Sequence, residues 1–180
     1  MRLTQIVTKS AFIMGLTFLF AGNWNVDTAN AKVEFSVKGP FGTVHGNFTG
    51  LKAKIQFDGK DLAGSSFSAS IDAKTVSSGV GLRNRHLRNE EEWFNTDKYP
   101  EISFHSKKVE KSATGFKAIG DLTIKDNTKP VEIPFTFAPD GASGVFKGEF
   151  TIKREDFNLG KPGGSVGSIV TINLEVPVKK

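Results

Sequence analysis

The 180-residue sequence has no cysteine, one tyrosine, two tryptophans and only three histidines. Without cysteine there is no disulfide, no thiolate metal site, no cysteine nucleophile and no lipid-modified amino-terminal cysteine. That absence does not argue against export, because a core of this size needs no covalent staple. His45, His86 and His105 stand on separate segments, with no HxH or HxxxH spacing. They carry no metal-binding pattern and read as structural. There is no GxSxG elbow, and the glycine-rich "LGKPGGSVGS" lacks the Lys-Ser or Lys-Thr ending and the helix of a phosphate loop. Lysine and arginine outnumber aspartate and glutamate by 24 to 19, for a net charge of +5. The lysines are scattered singly rather than gathered into a stripe, which excludes a nucleic-acid partner.

The apolar run "AFIMGLTFLFA", Ala11 to Ala21, follows Arg2 and Lys9. It is too short to span a bilayer and has the length of a signal-peptide core. Residues 1–22 are therefore expected to be a cleaved signal peptide, with processing near Ala21 to Asn23. The alternative motif Ala29-Asn30-Ala31 would cut into the first strand, "WNVDTANAKVEFSV". Removing Arg2 and Lys9 lowers the net charge from +5 to +3. The mature chain, residues 23–180, is expected to be one domain in the periplasm or outside the cell, without stable membrane insertion.

Period-two alternation dominates what remains. Val33, Phe35 and Val37 point one way; Val44 and Phe48 follow, then Leu51, Ala53, Ile55 and Phe57, with a slip of one residue near Gly50 that predicts a bulge. Further runs carry Phe67, Ala69 and Ile71; Ile102 and Phe104; Phe116, Ala118, Leu122 and Ile124; Val131, Ile133, Phe135 and Phe137; Phe146, Phe150 and Ile152; and Val170, Ile172, Leu174 and Val176. Short turns such as Asp58-Gly59 and Asp140-Gly141 separate them. This predicts an all-β chain of eight antiparallel strands closed into an up-and-down barrel, with a two-sheet sandwich as the alternative. Periodicity leaves open whether the interior is filled by side chains or hollow.

One stretch breaks the alternation: "RNRHLRNEEEWFNTDKYPEISF", residues 83–104. Its first half predicts one or two helical turns that place Leu82, His86 or Leu87, and Trp93 or Phe94 on one side, stopping at Asn95 or Asp97. A His86–Glu90 pair is possible there, but nothing supplies the activated partner and oxyanion site that catalysis needs. The stretch reads as a crossover that plugs one barrel end, or as a set of arginines meeting a polar head group at the barrel mouth.

Taken in order, "WNVDTANAKVEFSVK", "VHGNFTGLKAKIQFD", "RNRHL", "KYPEISFHS", "GDLTIKDNTKPVEIPF" and "KREDFNLG" resemble the YceI-like family of polyisoprenoid- or lipid-binding periplasmic proteins across the mature chain. The resemblance implies a lipocalin-like, eight-stranded antiparallel barrel with a hydrophobic tunnel for a long isoprenoid or fatty chain, and no catalytic activity or cofactor. It makes the crossover a lid. Asn84 departs from the aspartate the family carries there, and the segment from His86 to Pro100 is one residue longer.

On that basis the inward-phase residues expected to line the tunnel are Phe35, Val37, Ile55, Phe57, Phe67, Ala69, Ile71, Ile102, Phe104, Phe116, Phe135, Phe137, Phe146, Phe150, Ile172 and Leu174. Arg83, His86, Trp93, Phe94 and Arg154 are expected at the polar end or lid. The expected partner is an isoprenoid or other long-chain lipid, with a homodimer possible. The competing expectation is a stress-induced scaffold that uses the barrel only as structure.

Overall fold

Ten strand segments form because alternating residues give each a dry face and a wet face. They are β1 (Asn23–Val26), β2 (Lys32–Gly39), β3 (Gly42–Phe48), β4 (Lys52–Gln56), β5 (Ser66–Asp72), β6 (Glu101–Ser112), β7 (Gly115–Ile124), β8 (Asn127–Asp140), β9 (Ser143–Lys153) and β10 (Ile169–Lys179). One α-helix, α1 (Gly81–Asn89), lies in the crossover between β5 and β6. The computed structural model describes residues 22–180, so the expected signal peptide lies outside the described residues apart from Gly22.

The ten segments make eight staves. β1 and β2 lie end to end along β10, with Val26 opposite Val178 and Val37 opposite Val170. The break between them is a turn in which the Asp27 carbonyl accepts from the amides of Asn30 and Ala31. β3 and β4 likewise form one interrupted stave, pairing with β2 and β1. The interruption sits at Gly50, whose φ of +76° is open to glycine and costly to other residues. This is the physical form of the phase slip between Phe48 and Leu51. From β4 the sheet runs through β5 to β10 in chain order, and β1 pairing with β10 closes it. The result is a closed antiparallel barrel, not a sandwich. A second irregularity, between Ser106 and Lys108, shifts the inward phase of β6 from Phe104 to Val109.

Antiparallel order gives the barrel two distinct ends. The β4–β5, β6–β7 and β8–β9 connections gather at one of them. The β2–β3 and β7–β8 turns, the β9–β10 connection and the crossover from Ala73 to Pro100 gather at the other. Among the described residues no helix is long and apolar enough to cross a membrane.

Candidate functional site: a half-filled barrel

The interior is neither wholly filled nor wholly hollow. At the end bearing the β6–β7 and β8–β9 turns, an aromatic plug closes it. Phe57, just past β4, is fully buried, and its ring lies 4.9–6.0 Å from those of Phe67, Phe116, Phe135, Phe137 and Phe146. Strand register builds this cluster: Phe116 faces Phe135 across β7–β8, and Phe137 faces Phe146 across β8–β9. Trp24 completes it, edge-on to Phe137 at 5.0 Å and donating its indole N–H to the Phe57 carbonyl at 2.8 Å. Such ring pairs add to simple burial and hold the plug in one arrangement.

Above the plug lies a cavity of about 270 Å³. Thirteen of the sixteen expected tunnel residues line it: Phe35, Val37, Ile55, Phe67, Ala69, Ile71, Ile102, Phe104, Phe135, Phe146, Phe150, Ile172 and Leu174. Phe57, Phe116 and Phe137 do not; they share the inward phase but sit too far toward the closed end and are spent in the plug. Lining residues outside the expected set include Phe48 and Leu122 on alternating strands, Leu87 on α1, and Leu159 and Val166 on the β9–β10 connection. The last two had no periodic signal to reveal them. Glu34 and Lys147 also border the cavity, but they belong to the exposed phase of their strands. Ser70, Ser103 and Arg154 are the other polar side chains on the lining, and the remainder is hydrocarbon and aromatic.

The crossover covers the other end. It leaves β5 through a short 3-10 turn, is tied to β3 by reciprocal backbone bonds between Ser77 and Asn47, and then forms α1. Leu87, Trp93 and Phe94 reach the cavity, and Phe94 meets Phe48 edge-on at 5.6 Å. Leu82, Arg83 and His86 are exposed and do not line it, so Arg83 and His86 belong to the lid segment and not to the cavity wall. The rotation of α1 turns Leu87 inward and leaves its neighbour His86 in solvent. Asn84 is structural: its side-chain oxygen accepts from the amide and hydroxyl of Ser78 at 2.7 and 2.8 Å, fixing the turn that starts the helix. An amide does this without the charge an aspartate would bring.

Arg154 does border the cavity, but its donors are largely committed elsewhere. Its guanidinium, 3% exposed, donates to the carbonyls of Leu159, Lys161, Val166 and Gly167 at 2.6–3.1 Å and pairs with Glu155. It thereby organises the β9–β10 connection, whose backbone has no ladder to satisfy it. Gly160 closes this corner with φ +70°; a β-carbon there would stand 2.7 Å from Arg154 and 2.9 Å from Trp93. Lys125, buried in the β7–β8 turn, donates to the carbonyls of Glu91 and Asn158 at 2.6 and 3.0 Å, stapling crossover to connection. Burial holds its ammonium below the ordinary lysine pKa. Among the described residues no cluster of His, Asp and Glu is placed to hold a metal ion.

A closed eight-stranded barrel with an apolar blind cavity under a crossover lid defines a binding architecture. The YceI-like domain matches residues 24–178, and the chain belongs to the YceI-like family. A UPF0312 protein of Yersinia enterocolitica is 29% identical over 179 residues, covering 94% of this chain and 93% of that one. The crystal structure of BcnA from Burkholderia cenocepacia is similar with a TM-score of 0.78 and 29% identity, covering 85% of this chain and 99% of that chain. A polyisoprenoid-binding domain from Saccharophagus degradans, implicated in plant cell wall breakdown, shares the fold at a TM-score of 0.67 and 13% identity, covering 87% and 97%.

Proposed function

We propose that this protein is a non-enzymatic carrier that holds the tail of an isoprenoid or similar long-chain amphiphile inside its barrel, in the periplasm or outside the cell. The observation that carries this reading is the apolar cavity set above the aromatic plug. A blind, hydrocarbon-walled space accepts a chain end and offers no group to react with it. Family membership supports the reading, and the polyisoprenoid-binding neighbour is its precedent on the same fold.

Size and energetics restrict how it works. At about 270 Å³ the cavity falls just below the common range for small-molecule sites, roughly 300–1,000 Å³. It suits part of a long chain, the remainder emerging under the crossover. Burying a tail from water is worth roughly 0.8 kcal/mol per methylene. A lipid leaving a membrane has already collected that gain, so the hydrophobic term largely cancels. Close contact with the phenylalanine wall then decides affinity. Arg154 has little donor capacity left for a head group, so the tail dominates recognition.

Native mass spectrometry of protein purified without added lipid tests this. A stoichiometric amphiphile, identified after extraction, is the expected result. A barrel that is empty in every preparation would favour a scaffold role.

A further inference from the structure

Single exposed apolar side chains are ordinary on a protein surface. Here the large ones are not scattered. Among the described residues Phe41, Val80, Leu82 and Ile169 are the large hydrophobics left exposed, Phe41 completely so at 102%. All four belong to segments that meet at the lid end. Phe41 is the tip of the β2–β3 hairpin. Ile169 begins β10, one residue before Val170 pairs with Val37, and the preceding Gly167 amide donates to the Lys38 carbonyl. Val80 and Leu82 follow Ser77, which bridges to Asn47 antiparallel to β3 and so heads toward the hairpin tip. No comparable side chain is exposed at the plug end among the described residues.

The part of the rim around these side chains is free of acidic residues. The stretches 35–44, 77–89 and 161–170, which build this rim, contain no aspartate or glutamate. They carry Lys38, Arg83 and Arg85, all exposed and without an ion-pair partner among the described residues. The acidic run Glu90–Glu92 lies to one side, toward the β7–β8 turn and the connection, where the Glu91 carbonyl takes Lys125 and Glu92 pairs with Lys161. At the opposite end Asp58, Asp61 and Asp140 stand beside Lys60 and the terminal Lys179 and Lys180, so neither sign prevails there.

We infer that the rim formed by Phe41, Val80, Leu82 and Ile169, with Lys38, Arg83 and Arg85, is a peripheral docking surface for an anionic lipid bilayer. Apolar tips flanked by unpaired basic side chains suit the boundary between head groups and acyl chains. The cavity wall reaches the same rim through Val37, Val166 and Val170, which are only partly buried. Resting on the carrier reading, docking here lets a tail move from membrane to cavity without crossing water. Docking itself requires no cargo.

Flotation with phosphatidylglycerol vesicles, against phosphatidylcholine vesicles, tests the surface. The protein is expected to float with the anionic vesicles and to be released by salt. Phe41→Ser should weaken partitioning about tenfold. Arg83→Ala and Arg85→Ala should each weaken it about fivefold. All three sites are exposed, so thermal stability should be unchanged. Phe41→Trp should show a blue shift in the added tryptophan's emission on vesicle binding. Ala69→Phe, which fills the cavity, should dock as the wild type does. No flotation with anionic vesicles, wild-type partitioning by Phe41→Ser, or loss of docking in Ala69→Phe would each overturn the proposal. Wild-type protein that docks yet always purifies empty would support the surface while counting against the carrier.

Discussion

Replacing Phe57 with alanine removes the centre of the aromatic plug. The ring is fully buried and touches five others, so no neighbour is free to swing into the space without leaving its own partners. Buried Phe-to-Ala changes cost about 3–5 kcal/mol, the upper part belonging to sites that cannot collapse. The plug is such a site, since strand register fixes Phe116, Phe135, Phe137 and Phe146 on a closed sheet. A loss of about 4 kcal/mol is expected, which in a domain of this length is a fall in Tm of roughly 8–16 °C. Guanidinium titration should show a lower midpoint with an unchanged slope, because the surface exposed on unfolding is nearly the same. The vacated space would also deepen the cavity, so the variant should accept longer chains. A Tm within about 2 °C of wild type would refute a packed plug at Phe57.

Arg154→Met keeps an apolar stem beside the cavity and strips the donors from four carbonyls of the β9–β10 connection. A loss of about 3 kcal/mol is expected, with faster amide exchange across residues 159–168; protection equal to wild type would contradict the organising role. Lys125 gives a pH dependence. Its folded pKa lies below the ordinary 10.5, chiefly through burial, so between that lowered value and 10.5 the unfolded chain binds more protons. The cost of the buried ammonium is fully present at lower pH and is relieved as pH rises through this window. The stability of wild type relative to Lys125→Met should therefore rise on approaching pH 10.5, and a difference independent of pH would be the contrary result.

Much of the barrel was legible because alternation is a direct record of which face is dry. Even the stave interruption at Gly50 was written in the slip from Phe48 to Leu51. The same kind of slip, from Phe104 to Val109, marks the irregularity in β6 and was there to be read. What alternation does not record is height along the barrel. Phe57, Phe116 and Phe137 have the same inward phase as Phe35 and Phe104, yet they fill the plug while the other two face the cavity. Only register distinguishes them. At the lid, a choice between adjacent residues depended on the rotation of one short helix, which turned Leu87 in and His86 out. Arg154 was found as a residue near the site, but its role was not, because its partners are backbone carbonyls of a loop without a pattern.

The central claim is that the space above the plug is where a lipid tail resides. Ala69 lines that space between Ala53 on β4 and Phe104 on β6, so Ala69→Phe places a ring directly in it while leaving the sheet hydrogen bonds intact. Native mass spectrometry and lipid extraction on wild type and Ala69→Phe, with thermal unfolding to show that both are folded, measure occupancy directly. The account predicts a bound amphiphile in wild type and none in the variant. A folded Ala69→Phe protein that retains the full complement of lipid would contradict it.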